Sequence, residues 1–245
     1  MLGGVIPMGA VFLESFAIAP WHVMIRFGQW DDIIAEPLPT DTDAYASTIA
    51  NGHYAKAVAY ASTGLVVQAR QQQALFKEAL KNKKLKGRLL HNNAMWSDDG
   101  PSVLAVAAKV MEGEIIYREA VLNGGSCDSA FAALRDAVEL SENLTYDEPW
   151  GWMVPVRHAL GALLFEQGRV DEATEVYRKD VALWKDNMWG LHGLVTCLKK
   201  AGAPAAEIQD YEARYKQATV RADVVLKATC FCAAKAGAKT TVSSL

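Results

Sequence analysis

The chain has no excess of positive charge: 25 Lys and Arg stand against 28 Asp and Glu, a formal net charge of -3. Binding a nucleic-acid backbone relies on basic side chains that displace counterions, so this balance argues against such a partner. No apolar run reaches the roughly 18 uninterrupted residues that a membrane-spanning helix requires. Cysteine is scarce. Cys127, Cys197, Cys230 and Cys232 have no zinc-ligand spacing, and a lone C-x-C is a weak signal. A structural disulfide framework is therefore not expected, and a cytoplasmic compartment fits. Also missing are the H-E-x-x-H helix, the nucleophile elbow, the phosphate-binding glycine loop and the dinucleotide fingerprint. Gly124-Gly125-Ser126 precedes a helical stretch but lacks a preceding strand and the Gly-Lys-Ser/Thr ending, so it reads as an inter-helix turn. The expectation is a protein without catalytic residues, cofactor or metal, partnered by neither nucleic acid nor membrane.

The first thirteen residues are mostly apolar, and Ala17-Ile18-Ala19 resembles a cleavage site. No Lys or Arg precedes this run, and Glu14 interrupts it, so it reads as a first helix or an irregular start rather than a secretory signal.

What is present is a recurring pair of small residues. Gly168 is followed five positions later by Ala173 and then by Tyr177; the same step recurs at Gly64–Ala69 and Gly125–Ala130. A glycine in a tight turn followed by a small residue where the next helix must approach its partner is the mark of stacked helical hairpins. Leu160, Gly161 and Leu164 lie at helical spacing before Gly168, and Asp171 and Glu172 sit where a second helix begins and negative charge suits its dipole. A shift of 34 residues carries Leu160 to Leu194, Leu164 to Leu198, Gly168 to Gly202 and Tyr177 to Tyr211. After the turn this second unit departs, and Pro204 is expected at a helix start. Earlier turns are expected at Gly28 and Gly64, with Pro37 and Pro39 cutting one helix short. A helix is expected over about 102–121, an extended loop over 92–101, a basic and solvated helix end over 81–88, and a connector rich in acid and tryptophan over 146–152.

Residues 154–187 resemble a tetratricopeptide repeat, matching at Leu160, Gly161, Leu164, Gly168, Ala173 and Tyr177. They depart from the pattern at Arg157, Asp180 and Lys185, where a Trp, a small residue and a Pro are usual. The whole chain is similar to the C-terminal part of a longer bacterial-type protein of this family. Phe12-Leu13-Glu14-Ser15-Phe16, Arg26-Phe27-Gly28-Gln29-Trp30-Asp31, Tyr146-Asp147-Glu148-Pro149-Trp150-Gly151-Trp152 and Arg157-His158-Ala159-Leu160-Gly161 carry that likeness. It implies further repeats upstream in relatives, and hence a shortened copy or partial gene here, with an unpaired helical face at the N-terminus.

The resemblance implies an all-α solenoid of antiparallel helix pairs. Residues 1–40 would form a degenerate repeat, 41–90 and 91–148 one helix pair each, 149–232 two repeats, and 233–245 a flexible tail. It also implies a scaffold that binds a protein or peptide on the concave face lined by first helices. His53, Arg157, His158, Leu191 and His192 are the candidate contacts. The rival reading is a metal-dependent helical domain using the groove histidines, His22 included; a third is a fragment without independent function. Asp147 and Glu148 beside Trp150 and Trp152 admit a lip for a basic peptide, against a connector whose tryptophans fold back onto the following repeat.

Overall fold

A computed structural model describes residues 13–233. These residues are mostly helical, consistent with the all-α expectation, and the chain divides into two compact units at Val154 and Pro155. No helix among the described residues is long and apolar enough to cross a membrane.

The first unit holds α1 (Ala19–Arg26), α2 (Trp30–Ala35), α3 (Ala46–Ser62), α4 (Val66–Ala79), α5 (Val103–Asn123) and α6 (Asp128–Glu142). Helix α2 stops at Ala35 because Glu36 precedes Pro37 and takes an extended conformation. Helix α3 is the centre of the unit, packed against α1, α2, α4 and α5. Its sequence is rich in Ala, Ser and Gly, and it is buried on nearly every side, which small side chains permit.

Between α4 and α5 the chain departs from an all-helical path. A 3-10 turn (Lys83–Leu85) leads to a two-residue hairpin, β1 (Leu89–Leu90) with β2 (Asn93–Ala94), where an extended loop was expected. The expected solvated basic run is only partly so. Lys81, Lys83, Lys84 and Lys86 are exposed, but Arg88 is buried and pairs with the buried Glu14. Glu14 in turn accepts from the Thr48 amide at 2.6 Å and the Thr48 hydroxyl at 2.7 Å in the first turn of α3. Arg88 also donates to the carbonyls of Asp43, Ala44 and Lys84. A carboxylate at the positive end of a helix, neutralised by a guanidinium whose other N–H groups are occupied, meets the conditions under which charges tolerate burial.

The second unit holds α7 (Val156–Glu166), α8 (Val170–Leu183), α9 (Met188–Ala201) and α10 (Ala205–Ala218), then a 3-10 turn (Phe231–Ala233). Helix α8 packs on both α7 and α9, and α10 on α9. Gly161 meets Tyr177 while His158 meets Asp180, so sequence number falls along α7 as it rises along α8. Tyr177–Gly193 and Asp180–Gly190 show the same reversal between α8 and α9. Pro204 stands immediately before α10, as expected.

One turn closure recurs in both units. Gly28, Gly64, Gly124, Gly168 and Gly202 all have positive φ, and the residue after each donates its amide to the carbonyl five positions earlier. At Gly168 that bond is Arg169 N to Leu164 O at 3.0 Å. This is the closure expected of a glycine-terminated helix. The turn expected at Gly125 is corrected to Gly124. Helix α5 runs to Asn123, the next residue is left-handed at φ 66°, and Gly125 supplies the closing amide to Ala120 at 2.8 Å.

Candidate functional site

The second unit is built around one aromatic side chain. Tyr177 is fully buried, and its ring fills two notches in the flanking helices, where a Cβ at Gly161 would lie 2.5 Å from the ring and one at Gly193 would lie 2.4 Å away. One turn along α8, Asp180 is buried where the repeat pattern has a small residue. Gly190 makes room for it, since a Cβ there would sit 2.2 Å from the Asp180 carboxylate. His158 Nε2 hydrogen-bonds Asp180 Oδ2 at 3.0 Å. The departure from the pattern is thus matched by a glycine on α9 and a histidine on α7.

Above Tyr177 lies a cavity of about 280 Å³. Its walls are Ala162, Phe165 and Glu166 of α7 and His192, Gly193, Thr196 and Cys197 of α9. The remaining wall is the chain's own residues 227–229 with Ala233. These belong to a strap, residues 226–233, that follows α10 and lies against α7 and α9 without helical structure until Phe231. Leu226, Thr229, Phe231 and Cys232 are its buried anchors. The Thr229 hydroxyl donates to the His158 carbonyl at 2.9 Å, so the Tyr177 hydroxyl, also in contact with Thr229 Oγ1, is the donor to it. Phe231 meets Trp189 edge-on with centroids 6.2 Å apart.

The electrostatics favour neutral side chains here. Burial lowers the His192 pKa, partly offset by the Lys227 main chain. Burial, only partly countered by a hydrogen bond with Thr174, pushes the Cys197 thiol up to about 11, so the nucleophilic thiolate is scarce at neutral pH. Burial also raises the Tyr177 phenol, despite its bond to Thr229. The site offers hydrogen bonds and apolar surface to a ligand.

The five expected contact residues sort unevenly. His192 lines the cavity. His158 is buried; its carbonyl serves the strap while its imidazole serves Asp180. Leu191 is wholly buried, and Arg157 is half-buried outside the cavity lining. In the first unit, His53 is half-buried and bonds Gln72 Oε1 at 2.8 Å, with its pKa lowered chiefly by burial. His22 is buried among Trp152 and Tyr54, and neither ring nitrogen has a hydrogen-bond partner. Within each unit the histidines serve separate partners.

The connector residues are used internally. Asp147 is buried and accepts from the Asn92 amide, from Asn92 Nδ2 at 2.8 Å and from Asn93 Nδ2. Trp152 is buried against His22 and Tyr54, so it folds back onto preceding helices of its own unit rather than onto the following repeat, while the half-buried Trp150 meets Tyr146.

Sequence reasoning missed Thr229, Lys227 and Phe231. The signal available was the apolar Cys230-Phe231-Cys232 cluster, which follows the last repeat and has no place in its pattern. Cys230 and Cys232 are joined in a disulfide, where no disulfide framework was expected; the turn at Phe231–Ala233 brings their Cα atoms to 5.1 Å. No family model, curated protein or solved structure matches the chain.

Proposed function

We propose that the chain is a non-catalytic scaffold of tetratricopeptide-repeat type, a solenoid of antiparallel helix pairs. It binds a protein or peptide segment on the inner face of its first helices. One observation carries this reading: the face formed by α7 and α9 accepts residues 226–233, irregular chain up to a short 3-10 turn, through the hydrogen bonds of Thr229 and the aromatic contact of Phe231. A surface able to seat one such segment has the donors, acceptors and apolar recess needed to seat another. The rigid helices lower the ordering cost on the scaffold's side.

The test is selection of binding peptides from a random library on the full chain, followed by isothermal titration with His192→Ala and Thr196→Ala. The reading predicts that selected peptides lose about tenfold in affinity on one or both changes, as expected for a lost buried hydrogen bond or packed side chain. Peptides that bind all variants equally would place recognition elsewhere. Affinity that follows added zinc and vanishes with chelator would favour the metal-dependent rival instead.

A further inference from the structure

We propose that residues 226–233 are a built-in competitor for this groove. By their own chemistry they define its partner: a short non-helical segment with a Thr or Ser hydroxyl two residues ahead of an aromatic side chain. The inference rests on the peptide-binding reading above and adds to it the ligand class and a means of control.

Three features separate a competitor from ordinary packing. The strap's side-chain hydrogen bonds to the helices run through one residue. Thr229 engages Tyr177 and the His158 carbonyl, Phe231 meets Trp189, Leu226 and Cys232 are buried beside them, and the Lys227 side chain is exposed. It also fits loosely. A cavity of about 280 Å³ remains between it and the helices, bounded by Ala228 and Thr229 on one side and Phe165 and Gly193 on the other. Finally, it is tethered by a pliable lead. Residues 219–225 follow α10 without helical structure, and Val220 and Val225 are among the most exposed apolar side chains of the chain. A short segment on such a lead opens locally at a free-energy cost below that of unfolding.

The partner chemistry follows from the contacts. The His158 carbonyl and the Tyr177 hydroxyl are an acceptor and a donor presented together, and a single hydroxyl satisfies both. An aliphatic residue at the Thr229 position would leave both buried and unpaired. Phe231 fixes the second position by its contact with Trp189. A tethered segment acts at an effective concentration of about 1 mM. If the free strap peptide binds with a dissociation constant of roughly 10–100 μM, the tether weakens an outside ligand by about 10- to 100-fold.

The experiment uses the full chain and a fluorescent synthetic peptide of residues 222–233 in its disulfide-closed form. Affinity is measured by anisotropy for the wild type, for the strap variant Thr229→Val/Phe231→Ala, and for that variant with Tyr177→Phe added. The strap variant is expected to bind at least tenfold more tightly than the wild type. Adding Tyr177→Phe should remove most of that gain, because it deletes the hydroxyl that meets the peptide's threonine and little else. A peptide with Val in place of its Thr should bind the strap variant about tenfold more weakly. Equal affinity of wild type and strap variant would overturn the competitor. So would a wild-type dimer that dissociates on adding the peptide, since the strap would then be exchanged between copies. Should the strap variant ignore this peptide but bind library-selected peptides in a His192-dependent way, this inference fails and the peptide-binding reading stands. Should it bind neither, while limited proteolysis shows cleavage within 222–233, both fail.

Discussion

The two units bring helices close by different means. In the first, α3 is surrounded on nearly every side, and the approach is spread over many small residues: Ala46, Ala50, Ala55, Ala57, Ala59 and Ala61 are all essentially buried. In the second, the approach is concentrated at Tyr177, whose ring occupies notches at Gly161 and Gly193. Distributed packing tolerates a local change because each contact carries little of the total. Concentrated packing does not, because one ring sets the spacing of three helices. Both units bury polar atoms without a hydrogen-bond partner: His22, the Asn51 carboxamide and the hydroxyls of Ser47 and Ser62 in the first, one Asp180 carboxylate oxygen in the second.

The largest effect should come from removing the ring. Tyr177→Ala leaves a large void between α7, α8 and α9 and is expected to cost about 4 kcal/mol, the range for deleting a buried aromatic. Chemical denaturation monitored by circular dichroism would measure it. A loss below about 1.5 kcal/mol would mean that the notches do not set the helix spacing.

Next is the notch itself. Gly193→Ala puts a methyl group 2.4 Å from a buried ring that is held on its other side by the Gly161 notch. Overpacking of this kind costs about 3 kcal/mol, offset by about 1 from alanine's helix propensity, so a net loss of about 2 is expected. The paired variant Gly193→Ala/Tyr177→Leu, which vacates the space, should lose less than the sum of its two single changes.

The buried polar groups of the first unit are tested by pH. Burial raises Glu114 to about 8, with Arg118 opposing, and lowers His22 to about 4, with Arg26 adding to the effect. The folded-state pKa of Glu114 lies above its unfolded value, so the folded form holds the extra proton. Its contribution is complete below pH 4.5 and is lost as pH rises toward 8. For His22 the unfolded form holds the extra proton. Its contribution is complete above pH 6.5 and is lost as pH falls toward 4. The slopes oppose each other between pH 4.5 and 6.5, and above that Glu114 acts alone. Stability should therefore fall by about 1.5 kcal/mol between pH 6.5 and 8. Glu114→Gln should flatten this alkaline arm and uncover the His22 slope between pH 4.5 and 6.5, where stability should then rise with pH. An unchanged alkaline arm would assign it to another group.

These contrasts bear on what the sequence could disclose. Helices ended by glycine and started after proline were legible because each boundary is a local event: Gly168, Gly202 and Pro204 stand where composition places them. The doubled glycine at 124 and 125 was ambiguous, since either residue accepts positive φ and only the hydrogen bond to Ala120 decides. Asp180 reads as a defect in a repeat until Gly190 and His158, from two other helices, are seen to accommodate it. Arg88 reads as part of a solvated run because its partner Glu14 is 74 residues away. The strap escaped altogether. Irregular chain has no period, and what holds it are contacts with residues 42 to 71 positions earlier, such as Trp189 with Phe231 or His158 with Thr229.

The smallest expected effect tests the first unit's tolerance. A Cβ at Gly52 would lie 2.3 Å from Leu38 Cδ2, a clash as short on paper as that at Gly193. The neighbour differs in kind. Leu38 lies in the segment between α2 and α3, is half-exposed, and meets the added methyl with the free end of a branched chain. A change of rotamer relieves the overlap at about 0.5–1 kcal/mol, and alanine in mid-helix returns about 1. Gly52→Ala should therefore shift stability by less than about 0.5 kcal/mol in either direction. A loss as large as that of Gly193→Ala would mean that α3 depends on Gly52 as the second unit depends on its glycine notches. Spreading contacts over many small side chains would then confer no tolerance.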